Sequence, residues 1–167
     1  MIGGSIATSA YGEPRATNDV DLVANLRPAA CASFVEALGD DFYADLDAVR
    51  EAARRGASFN VIHFESVEKI DIFCVRDAFT ADGLAKRVDW DLGNGMVAPV
   101  AAPGHMVVEK LRWYRRGGEV SDRQIRDVQG VLQTSGGTLD LDEMRGWAEK
   151  LGLTDLLERA LVDAGLA

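Results

Sequence analysis

The sequence predicts an α+β (mixed α/β) fold, in which helices flank a small mixed sheet and a helical C-terminal part follows. Three observations support this. DVDLVANL alternates apolar and polar residues, the pattern of a strand with one buried face. SFNVIHF and KIDIFCV are strand-like runs separated only by the polar ESVE, too short for a parallel crossover, so they form a hairpin. From Pro103 onward the apolar spacing turns helical.

The elements follow in order. MIGGSIATSAYG reads as the tail of a strand, a glycine turn and a short helix, and EPRATND as a loop of turn formers. After the DVDLVANL strand, Pro28 suits the first turn of a helix that continues through Ala32, Phe34, Val35 and Leu38 and stops at Gly39. A second helix runs from about Leu46 to Arg55 and ends at Gly56. Beyond the KIDIFCV strand, residues 86–99 form another hairpin, turning at Gly93-Asn94-Gly95. Four helices follow: GHMVVEKLRWYRR, SDRQIRDVQGVLQ, LDEMRGWAEKLG and TDLLERALVDAG, the last two starting at Asp142 and Thr154. Residues 1–102 are expected to form the α/β core, with residues 103–167 packed on it as one compact unit, since no Pro-, Gly- or Ser-rich linker intervenes.

Composition bounds the function. With 47% hydrophobic and 27% charged residues in a chain of 167, a real core can form without disulfides or zinc. Cys31 and Cys74 both sit in apolar surroundings, as buried free thiols of a reducing, cytoplasmic setting. No apolar run is long enough to span a membrane, and no signal peptide is visible. His63 and His105 lack the neighbours of a zinc site. The net charge of −9 argues against a broad basic nucleic-acid surface, but it does not exclude a nucleotide whose charge is offset by metal ions.

The sharpest feature is Asp19-Val20-Asp21. Alternate strand residues share a face, so Asp19 and Asp21 point one way and Val20 and Leu22 the other, with the two aspartate Cα atoms roughly 6.5–7 Å apart. Carboxylates so placed can converge on divalent ions, which in two-metal sites lie about 3.5–4 Å apart. A solvated edge-strand face is the competing reading. Asp71 strengthens the first, because it interrupts an otherwise apolar strand where an unpartnered carboxylate is costly. Gly3-Gly4-Ser5 lies upstream of the aspartate pair, and glycines before a helix allow a phosphate to approach the backbone; alone, most such tripeptides are simple turns.

Together, the glycine pair with serine, a spacer, Asp-hydrophobic-Asp-hydrophobic and a later strand-borne Asp resemble the nucleotidyltransferase superfamily of the DNA polymerase β type. YGEPRATNDVDLV is similar to the Tyr-Gly-x-Pro-Arg-x-Thr-x-Asp-x-Asp-Leu run of small bacterial nucleotidyltransferase-like proteins, some related to toxins of the abortive-infection type. The resemblance implies a sheet of nucleotidyltransferase type and two Mg²⁺ (or Mn²⁺) ions held by Asp19, Asp21 and Asp71. It implies an NTP whose phosphates meet Gly3, Gly4 and Ser5, with Arg15 and Thr17 positioning the nucleotide. Further along, Lys110 would offset triphosphate charge and Arg123 would fork onto a phosphate or carboxylate. The competing reading has Glu109, Lys110, Arg123 and Asp127 as ion pairs between neighbouring helices. Trp113 and Tyr114 read as packing residues.

The implied activity is metal-dependent transfer of an NMP from an NTP to an acceptor hydroxyl of tRNA, a protein or a small molecule. The alternative is a degenerate protein of the same fold that binds a cognate protein partner, for example in a toxin–antitoxin pair. Only Met1 and Ile2 precede the glycines, so the first strand is expected as a stub, which favours that alternative.

Overall fold

The computed structural model describes residues 1–12, 14 and 16–167. The chain forms two compact units: Met1–Gly3 with Thr17–Val100, and Gly4–Ala16 with Ala101–Ala167.

In the first unit, β1 (Val20–Ala24) leads through a 3₁₀ turn at Pro28–Ala30 into α2 (Cys31–Ala37); α1 belongs to the second unit. A short β2 (Phe42–Tyr43), α3 (Leu46–Arg55), β3 (Ser58–His63) and β4 (Lys69–Cys74) follow. The four strands form one mixed sheet in the order β1-β4-β3-β2. β4 runs parallel to β1 and antiparallel to β3, as the short ESVE connection requires. α2 and α3 supply the residues that cover one face. Cys31, Val49 and Ala52 from these helices meet Phe59, Val61, Ile72 and Cys74 from the sheet, with Leu22, Ala24 and Phe34 packed around them. The Phe34 and Phe59 rings meet edge to face at 5.8 Å.

α3 has the limits its sequence suggests. Asp45 caps it by accepting from the Ala48 N–H at 2.8 Å, and Gly56 closes it in the left-handed conformation, at φ 63°. A hairpin of β5 (Val88–Gly93) and β6 (Met96–Val100) completes the unit, turning through Gly93, Asn94 and Gly95, all at positive φ. The stub at the start of the chain is paired on both sides. Ile2 bridges antiparallel to Leu22 and parallel to Val100, and its N–H donates to Pro99 O at 2.7 Å. The Val23 N–H donates to Met1 O and the Gly3 N–H to Asp21 O, each at 2.8 Å. Met1–Gly3 therefore stitches the hairpin to the outer edge of β1.

Sequence periodicity does not reveal α4 (Ala78–Ala85) or β2. α4 buries Phe79, Thr80 and Gly83 and shows no clean stripe; its start is fixed by a capping box between Asp77 and Thr80.

In the second unit, α1 (Gly4–Tyr11) packs on α5 (Pro103–Arg116) and α6 (Asp122–Ser135). α7 (Leu141–Leu151) and α8 (Thr154–Asp163) complete it. Val107, Leu111, Val128, Leu132, Leu157 and Leu161 are fully buried, at the helical spacing that made these segments legible. One start differs from expectation, while α8 begins at Thr154 as expected. Asp140, not Asp142, caps α7 by accepting from the Glu143 N–H at 2.9 Å. Leu153, which precedes α8, offers no side-chain cap. No helix among the described residues is long and apolar enough to cross a membrane.

Both cysteines are free and buried. Burial, with a smaller contribution from Cys31, pushes the Cys74 thiol above its ordinary pKa, so still less thiolate forms near neutrality. A thiol reagent at pH 8 should label neither cysteine until denaturant unfolds the sheet; rapid labelling of the native protein would contradict this packing. At Gly56 an added Cβ would stand 2.7 Å from Arg76 Cα, in a conformation that disfavours any L side chain. Gly56→Ala should destabilise by about 2 kcal/mol or more in urea melts, from left-handed strain plus displacement of that backbone.

Candidate functional site

The face of the first unit's sheet opposite the core of α2 and α3 carries the candidate chemistry. On β4, Ile70, Ile72 and Cys74 point to the core, so Lys69, Asp71 and Phe73 point away from it. On β1, Leu22 and Ala24 point inward and Asp21 and Val23 away. Parallel pairing sets Asp21 opposite Asp71, so the two carboxylates stand on adjacent strands about 4.8 Å apart at the backbone, on one face. β3 extends the row, because Asn60 pairs with Asp71 from the other side. Asp19 lies just before β1 and is exposed.

Two contacts hold the backbone of this region. The Asp19 N–H donates to Thr17 Oγ1 at 3.3 Å, so Thr17 shapes the entry to β1. The Gly3 N–H donates to the carbonyl of Asp21 itself, tethering the glycine turn to the strand that bears the acids.

Lys69 is the neighbour that sequence reasoning passed over. Its Nζ donates to both Asp71 oxygens, at 2.9 Å to Oδ1 and 2.6 Å to Oδ2. The pair is partly open, with side chains 47% and 21% exposed, so its net contribution to stability is small. The hydrogen bond to Asp71 is the main cause raising the Lys69 pKa, opposed by some desolvation and reinforced by the charges of Asp71, Asp19 and Asp21. All three carboxylates thus act electrostatically on one cation.

This donor set fits a hard divalent ion, since it offers carboxylate oxygens from two neighbouring strands and includes no thiolate or imidazole. No three His, Cys, Asp or Glu side chains among the described residues converge as a ready-made metal cluster, so the site offers a metal the oxygens of a carboxylate pair.

Asn60 and Lys69 both carried a legible signal. Each alternates with core residues, Phe59 and Val61 or Ile70 and Ile72, and so belongs on the face of Asp71.

The other expected residues belong to the second unit or fall outside the description. Gly4, at φ 56°, and Ser5 begin α1, where their carbonyls accept from the Thr8 hydroxyl at 3.2 and 3.0 Å. Lys110 is buried, and its Nζ donates to Asp127 Oδ2 at 2.7 Å, joining α5 to α6. Arg123 is exposed and lines a cavity of about 400 Å³ with Thr8, Arg126 and Asp127. Trp113, expected to pack, is exposed, with the Arg116 guanidinium 5.5 Å from its ring centroid. Arg15 lies outside the described residues.

No protein-family model matches the chain, and no curated protein matches it. Among solved structures, the chain is similar to the crystal structure of an antigenic nucleotidyltransferase-like protein from Paracoccidioides brasiliensis. The TM-score is 0.54, and the match covers 96% of this chain and 82% of that one. The fold is nucleotidyltransferase-like. At 16% identity the likeness reaches the fold and no further.

In the helical unit, buried charges join neighbouring helices. The Lys110 and Asp127 side chains are 8% and 9% exposed, so neither can turn to water if its partner is lost. Lys110→Ala or Asp127→Ala should each cost about 3–5 kcal/mol, because the remaining buried charge loses its ion-pair partner. Lys110→Met with Asp127→Leu should recover most of that loss in urea melts. Additive losses in the double variant would show that the pair is not coupled.

Proposed function

We propose that the chain transfers a nucleoside monophosphate from an NTP to an acceptor hydroxyl, releasing pyrophosphate, with the help of divalent metal ions. The observation that carries this reading is the pairing of Asp21 with Asp71 on neighbouring parallel strands of a nucleotidyltransferase-like sheet, on the face opposite the core. Asp19 and Asp21 would supply metal-binding oxygens from β1, and Asp71 would supply one from β4. Mg²⁺ or Mn²⁺, when bound, would offset triphosphate charge and polarise the α-phosphorus. Asp71 would also accept the proton of the attacking hydroxyl. The glycine turn at Gly3, bonded to Asp21, would bring backbone donors to the phosphates, with Gly4 and Ser5 next to it in the chain. Asn60, opposite Asp71, would hold the acceptor or an ordered water by hydrogen bonding.

A second reading is a non-catalytic protein of the same fold that binds a cognate partner. The Lys69 ammonium favours it, because it already satisfies both oxygens of Asp71.

Calorimetric titration separates the two. Under the first reading, wild type binds NTP only with Mg²⁺ or Mn²⁺, and Asp19→Asn or Asp21→Asn loses that binding while keeping its circular dichroism. Asp71→Asn should lower transfer about 10²–10⁴-fold, the range for losing a general base, without unfolding the chain. Folded wild type that binds no NTP with either metal would exclude catalysis and leave the partner-binding reading.

A further inference from the structure

The Lys69–Asp71 contact has a consequence for metal binding beyond the assignment of ligands. Lys69 and Asp71 are two residues apart on β4, hence on the same face, and the ammonium spans both carboxylate oxygens. A divalent ion that uses Asp71 needs the same oxygens, and one carboxylate cannot serve both cations in full. The lysine side chain is long and half exposed, so it can leave for solvent without breaking the sheet.

We propose that Lys69 is a tethered counter-ion that competes with divalent metal for Asp71 and so sets the metal concentration at which the site fills. The proposal rests on the nucleotidyltransferase reading. It assigns Lys69 a positioning role, exerted through Asp71, with no contact to the reacting atoms. While Lys69 holds it, Asp71 is neutralised and pre-oriented. When metal enters, the ammonium is displaced but remains attached to the same strand, ready to return. A free cation must act from bulk concentration, whereas this one is present at every copy of the site, so it weakens apparent metal affinity without any added salt.

The test uses the full chain and Mn²⁺ alone, with free Mn²⁺ followed by electron paramagnetic resonance and no nucleotide present. Lys69→Met should tighten Mn²⁺ binding by about five- to tenfold. Part comes from removing a competing ion pair and part from removing repulsion of the incoming ion. Lys69→Arg, which keeps the charge, should bind as wild type does. In an Asp71→Asn background, the gain from Lys69→Met should vanish, because Lys69 acts through Asp71. Circular dichroism and thermal melts of each variant confirm that the sheet is intact.

If wild type binds Mn²⁺, Asp21→Asn loses it and folded Lys69→Met binds no more tightly, the competition idea is overturned while the metal site stands. Weaker binding by Lys69→Met would overturn it too, since Lys69 would then be assisting the metal. Folded wild type and Lys69→Met that both fail to bind Mn²⁺ would remove the metal site and this inference together.

Discussion

Parallel pairing between β1 and β4 is the constraint on which the rest of the first unit depends. In a sheet, paired residues point to the same side, so the register that sets Leu22 against Ile72 and Ala24 against Cys74 also sets Asp21 against Asp71. A slip of one residue would turn the acids into the core and the apolar residues out of it. Each core side chain returned to water would then cost about 1.5–3 kcal/mol. Packing of Phe59, Val61, Ile72 and Cys74 under α2 and α3 therefore holds the carboxylates in place. The candidate site is precise because the opposite face is dry.

Charge plays opposite parts in the two units, and exposure decides which. Lys110 and Asp127 meet out of water, where each needs the other and neither is available to a ligand without large rearrangement. Lys69 and Asp71 form a contact of similar length in a partly open setting. There the bond is weak enough to exchange, so the same chemistry that locks one pair leaves the other open to a competing cation. Sequence alone does not distinguish these lysines, since both lie within apolar surroundings of an amphipathic segment.

Local patterns were read well where a periodic stripe coincides with strong end signals. α3 begins after Asp45 and ends at Gly56 as its sequence suggests, and the hairpins around 64–68 and 93–95 follow from short polar or glycine-rich links. α4 escaped because its glycine and short apolar stretches give no stripe, and a capping box rather than periodicity starts it. β2 escaped because two residues cannot show a period. The cap of α7 was misplaced because LDLDE offers two aspartates, and the helix used Asp140, the earlier one.

The sequence by itself determined which residues share a face. Alternation on a pleated strand is local, so Asp19 and Asp21 fall on one side of their strand, and Asp71 on the side of its strand opposite Ile70 and Ile72, whatever the neighbours are. Tertiary structure alone decided that these faces are adjacent, that Asn60 continues the row, that Lys69 closes on Asp71, and that Ile2 bridges β1 to β6. Backbone donors and acceptors are the same in every strand, so nothing local specifies which strand pairs with which. That choice is made by burial of the whole apolar face at once, a sum over residues distant in the chain.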